Sequence, residues 1–171
     1  MKRLITALTI AAGAWSGALA DDNTDNWPAT HFAWGAEVAS DVDMTGQDLS
    51  TFDIHATLGY KNRYIQMLGV GAGIDVAIGN SSRMYPVYGV IRTSFNPTRN
   101  RCFMEVRAGY SFNNMTLGGD HNGIYTNIAW CINLAMARNY RSYLGLGYTY
   151  RQLGSDYRDL SCVSASFGIS F

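Results

Sequence analysis

Asp53 and His55 stand two residues apart in Phe52-Asp53-Ile54-His55-Ala56, and Asp75 follows in a second stretch of the same character. A carboxylate beside an imidazole orients a general base, and with a serine it would make a hydrolase triad. The serine lacks its setting, because nothing in the chain resembles a nucleophile elbow. His121 lies in Gly118-Gly119-Asp120-His121-Asn122-Gly123 beside a single aspartate, too few donors for a good metal site. Cys102, Cys131 and Cys162 match no zinc spacing and suggest isolated small residues rather than a disulfide framework. No catalytic residue, metal site or cofactor is assigned, and the chain is not read as an enzyme. The charged side chains find a better account in the elements that carry them.

Those elements repeat with a period of two. In 52–60 the apolar set Phe52, Ile54, Ala56, Leu58 and Tyr60 alternates with Asp53, His55, Thr57 and Gly59. The same alternation runs through 32–38, 64–78, 85–95, 104–112, 124–134, 142–150 and 161–171. This predicts eight strands. The connections alternate in length: 61–63, 96–101 and 138–141 are short, while 41–50, 79–83, 113–123 and 152–159 are longer. Eight antiparallel strands with short turns at one end and longer loops at the other make an up-and-down β-barrel. The expected fold class is all-β, an eight-stranded antiparallel transmembrane β-barrel.

The two faces of these strands differ in kind. One carries long aliphatic and aromatic side chains. The other is crowded with glycines, including Gly59, Gly69, Gly71, Gly73, Gly109, Gly145, Gly147 and Gly168. Glycine suits the crowded inside of a small barrel, so the apolar face points outward, toward lipid. Aromatic residues gather at the strand ends, as interfacial girdles do. Parity then places Glu37, Asp53, His55, Asp75, Arg92, Glu105, Arg107 and Arg151 in the lumen. If Phe95 opposes Cys102, Arg92 falls directly opposite Glu105. Buried charges are normally paired, so this set reads as a polar network that closes the lumen.

Residues 1–20 have the layout of a signal peptide: basic Lys2-Arg3, an apolar run, then Ala18-Leu19-Ala20 before polar Asp21-Asp22. Cleavage after Ala20 would leave a short periplasmic leader, 21–29, and the barrel domain, 30–171. The chain balances 13 basic against 13 acidic residues, so loss of Lys2 and Arg3 leaves a net charge of −2. That is no footprint for nucleic-acid binding. Lys61 is then the sole lysine, and the Lys/Glu coat of a soluble domain is absent.

With its signal sequence, its alternating segments and its final "SFGISF", the chain resembles the small eight-stranded outer-membrane β-barrel proteins of Gram-negative bacteria. The outer membrane protein X type and the barrel domain of outer membrane protein A are the forms it is similar to. The phrases "YPVYGVIRTSF", "EVRAGYSF" and "YLGLGYTY" also resemble the broad porin family of outer-membrane barrels. The resemblance implies a place in the cell outer membrane, with outer-membrane lipid as a partner. It also implies assembly by the outer-membrane insertion machinery, which reads a terminal strand ending in an aromatic residue, here Phe167, Ile169 and Phe171. A monomer with a structural or interaction role, acting through its loops, is expected; the extracellular partner is unknown. Two alternatives stay open: a barrel enzyme acting on outer-membrane lipid, and a soluble periplasmic lipid-binding barrel. Site motifs of the lipid A deacylase and palmitoyltransferase types are not found.

Overall fold

The computed structural model describes residues 30–62, 65–79, 81–94, 101–115, 119–137, 140–153 and 159–171. The signal-peptide and leader readings lie outside the described residues. Eight strands follow in chain order: β1 (Thr30–Asp43), β2 (Thr51–Asn62), β3 (Ile65–Ala77), β4 (Arg83–Ser94), β5 (Cys102–Met115), β6 (Gly119–Met136), β7 (Arg141–Arg151) and β8 (Leu160–Ser170). Each pairs antiparallel with its sequence neighbours, and β1 pairs with β8 to close the barrel. Followed once around, the paired residues return to β1 about ten positions out of step, which tilts the strands by about 45°.

Phe171 takes part in the closure between β8 and β1. Phe171 donates its backbone N–H to the Trp34 carbonyl at 2.8 Å and accepts the Trp34 N–H at 3.3 Å. Its ring stacks on Trp34, with centroids 4.4 Å apart and planes 15° from parallel. Phe167 and Ile169 lie on the same outward stripe, partly covered.

Side-chain alternation divides the wall as a strand requires. Outward stand Phe32, Trp34, Leu58, Val70, Ile74, Val87, Ile128, Trp130 and Leu146, all substantially exposed. Inward stand the charged residues and three small apolar clusters. Leu49, Ala77, Met84, Met115, Leu153, Leu160 and Cys162 form a plug across the loop-bearing mouth. Met67, Tyr88, Val90, Tyr125 and Ala33 pack lower down. Phe103, Ala129, Cys131 and Tyr143 make a third group. The cysteines are free; Cys131 and Cys162 are buried and Cys102 is partly exposed.

Three expectations are corrected. The segment 113–123, read as a long loop, is mostly sheet: Asn113 pairs with His121, Asn114 with Asp120 and Met115 with Gly119. Its Asn and Gly content suggested a turn, but alternation continues, with Asn113 and Met115 pointing inward. Asp41, assigned to a loop, lies on β1 and is buried. Lys61 and Arg141, assigned to turns, close β2 and open β7 as buried side chains.

The β1–β2 loop is organised by one carboxylate. Asp43 Oδ1 accepts the Thr45 N–H and hydroxyl, each at 2.6 Å, and Oδ2 accepts the N–H of Gln47 at 2.7 Å and of Leu49 at 3.4 Å. Partial burial alone would raise its pKa, but these hydrogen bonds outweigh it and hold the carboxyl below its ordinary value.

Candidate functional site

Parity along each strand brings all eight lumen residues of the sequence reading inside, each at most 4% exposed. Tertiary packing sorts them into two groups. The first is a closed ring. Arg107 donates from Nη2 to Glu37 Oε1 at 2.6 Å and from Nε to Glu105 Oε1 at 2.7 Å. Arg92, directly opposite Glu105 in the β4–β5 register, donates from Nε to Glu105 Oε2. Arg92 Nη2 reaches the Tyr143 hydroxyl at 2.7 Å, and that hydroxyl donates to Glu37 Oε2 at 2.8 Å. Two carboxylates and two guanidiniums thus balance, and each charge has several partners.

The second group lies nearer the loop end and is not balanced. Arg151 Nη2 faces Asp41 Oδ2 at 2.9 Å, Asp53 Oδ2 at 3.3 Å and Asp75 Oδ2 at 2.8 Å. His55 Nε2 faces Asp75 Oδ1 at 3.3 Å, while its Nδ1 meets the Tyr88 hydroxyl at 3.0 Å. Asp53 Oδ1 has no hydrogen-bond partner among the described residues.

Each arginine also lies over an aromatic ring. Arg92 sits 4.9 Å from the Tyr143 centroid, Arg107 5.2 Å from Tyr88, and Arg151 5.5 Å from Tyr125. Desolvated cation–π contacts of this kind add about 2 kcal/mol each. Glycines make room for the rings. A Cβ at Gly73 would strike the His55 imidazole opposite it, and a Cβ at Gly168 would strike the Tyr143 phenol. This is the physical reason the inward face alternates glycine with large polar side chains.

Tyr88, Tyr125, Tyr143 and Asp41 complete the site and were absent from the sequence-derived set. The signal for them was available: all four occupy inward positions by strand parity, and large aromatics among glycines mark a filled lumen. Among the described residues, His55 meets the Asp75 carboxylate through Nε2 and the Tyr88 hydroxyl through Nδ1.

Chemically, the first group can brace strands across the lumen and block passage, since its hydrogen bonds join β1, β4, β5 and β7. The second group concentrates acidic oxygen around one cation.

No protein-family model matches the chain, and no curated protein matches it. Among solved structures it is similar to Neisserial surface protein A, with 16% identity over 84% of this chain and 96% of that one and a TM-score of 0.55. It is also similar to a de novo designed transmembrane β-barrel, with 17% identity over 85% and 97% of the chains and a TM-score of 0.47. At that identity the first likeness carries the fold alone: a small eight-stranded barrel.

Proposed function

We propose that the chain is an integral outer-membrane barrel with a closed lumen, acting as a structural or interaction protein through its loop-bearing end. The observation that carries this is the inversion of the two faces. The outer wall exposes a continuous belt of aliphatic and aromatic side chains, while the charges are buried inside. A water-soluble barrel has the opposite arrangement. The belt has the right height. Phe52 and Tyr60 bound it on β2, and at about 45° tilt that span rises about 20 Å, against about 25 Å for typical outer-membrane barrels. Tyr60, Tyr140 and Phe171 ring one end; Phe52, Tyr85, Tyr110, Phe112 and Tyr148 ring the other.

The ion-paired lumen and the apolar plug support a stabilising core rather than a channel or a catalytic pocket. The likeness to a Neisserial surface protein fits loops displayed on a cell surface. The outer membrane protein X likeness, the signal peptide, the monomeric state and delivery by the insertion machinery belong to the same reading.

Fractionation tests it. The protein should stay with membranes through carbonate washing, run faster on a gel unboiled than boiled, and give no steady conductance in planar bilayers. Release by carbonate together with identical mobility before and after boiling would refute membrane integration. A stable ion current would refute the closed lumen.

A further inference from the structure

Among the described residues, three aspartates in the loop-side half of the lumen face one arginine. Asp41, Asp53 and Asp75 converge on Arg151. Arg107 and Arg92 are engaged in the neutral ring with Glu37 and Glu105. Lys61 and Arg141 lie at the opposite ends of β2 and β7. With all three aspartates ionised, the described groups of this region sum to two formal negative charges beneath the apolar plug. Removing charge from water at this depth is costly unless it is matched locally.

Oxygen and nitrogen atoms are positioned there to receive a cation. Asp53, His55 and Asp75 can each present one ligand atom such that all three lie within 4.8 Å of one another. Asp75 Oδ1 and His55 Nε2 are 3.3 Å apart. That is close to the edge of a zinc tetrahedron, about 3.4 Å for ligand bonds near 2.0–2.1 Å. Asp53 is 1% exposed, and its Oδ1 has no hydrogen-bond partner among the described residues. The far side of each donor is already braced. Arg151 Nη2 donates to Asp53 Oδ2 and pairs with Asp75 Oδ2 at 2.8 Å, and the Tyr88 hydroxyl meets His55 Nδ1. Outer contacts of this kind fix tautomer and ligand orientation in metal sites. An internal cavity of about 10 Å³ touches Asp41, Asp53 and His55, room for one water-sized ligand.

We propose that Asp53, His55 and Asp75 bind one divalent cation of the Zn²⁺ class, with water from the adjoining cavity as a further ligand. Mixed imidazole and carboxylate donors suit such an ion. His55 binds through Nε2; the ring proton resides on Nδ1 and is donated to the Tyr88 oxygen. The ion cancels the residual charge and ties β2 to β3 beneath the plug. Because Leu49, Leu153 and Leu160 seal the mouth, it enters during folding and exchanges slowly afterwards.

The test is to refold the full barrel in detergent micelles with Zn²⁺ or with EDTA, desalt both, and measure zinc per barrel and unfolding temperature. The expected result is close to one zinc per barrel after refolding with Zn²⁺, a higher unfolding temperature than the EDTA sample, and a zinc-edge absorption spectrum showing histidine and oxygen scattering. The Asp53→Asn/Asp75→Asn variant, which keeps side-chain shape, should hold background zinc only. Three results would overturn the proposal: wild-type barrel that keeps no zinc, undiminished zinc in the variant, or sulfur scattering, which would assign the ion to a cysteine. Should the variant fail to fold, the wild-type spectrum decides alone, since lack of histidine scattering sinks the site.

Discussion

Replacing Arg107 by methionine removes a guanidinium that holds both Glu37 and Glu105 at the centre of the lumen. Methionine fills most of the vacated volume, so the cost is electrostatic. Glu105 keeps its direct contact with Arg92, whereas Glu37 loses its guanidinium contact and keeps the Tyr143 hydroxyl. The ring goes from neutral to one uncompensated negative charge, in side chains at most 4% exposed. Breaking a buried pair by removing one partner costs about 3–5 kcal/mol. The double variant Arg107→Met/Glu37→Gln restores neutrality, because Arg92 and Glu105 still match each other. It should therefore be about 2 kcal/mol or more better than the sum of the two single losses. The assay is urea unfolding of barrels folded into micelles. Trp34 and Trp130, both exposed on the outer wall, report release from the apolar environment. A single-variant loss under about 1 kcal/mol, or additivity within about 0.5 kcal/mol, would show that the ring is not an energetic unit.

Other outcomes are expected from the same structure. Leu146→Arg, at a strongly exposed site in the middle of β7, should cost about 2–4 kcal/mol of stability in lipid if the belt meets the bilayer core; an unchanged urea midpoint in vesicles would argue against burial in lipid there. Phe171→Ala should lower the yield of the heat-shifted folded band and cost about 0.5–1.5 kcal/mol from the lost stack on Trp34, and equal yield and stability would remove the aromatic end from the account. Maleimide should label Cys102 in the folded barrel and reach Cys131 and Cys162 only after unfolding, so fast labelling of all three in the native state would contradict the packing. Because the Asp43 carboxyl is held below its ordinary value, loop order is full above the unfolded carboxylate range and is lost as pH falls through the lowered folded value. Amide exchange at Thr45, Gln47 and Leu49 should rise together in that window.

Strand parity was legible because a strand exposes alternate residues to two different surroundings. It put Glu37, Asp53, His55, Asp75, Arg92, Glu105, Arg107 and Arg151 on one side of the wall, and the structure has them there. Arg92 opposite Glu105 was also legible, since a short turn between adjacent strands sets their register. Strand ends were harder. Asp41 and the β5–β6 extension were misplaced because Asp, Asn and Gly favour turns, whereas continued pairing with a neighbouring strand overrides that local preference. The apolar plug escaped notice because its members come from strand ends and loops with no shared period.

By itself the sequence determined the period of two, the strand count and the sidedness of every strand, all properties of local backbone geometry. Tertiary structure alone decided which lumen charges meet. Glu37 and Arg107 are 70 residues apart and touch across the barrel, and Arg151 reaches Asp41 over 110. Those encounters depend on the stagger and diameter of the closed barrel, which arise only when β8 pairs with β1 and the eight registers must agree at once.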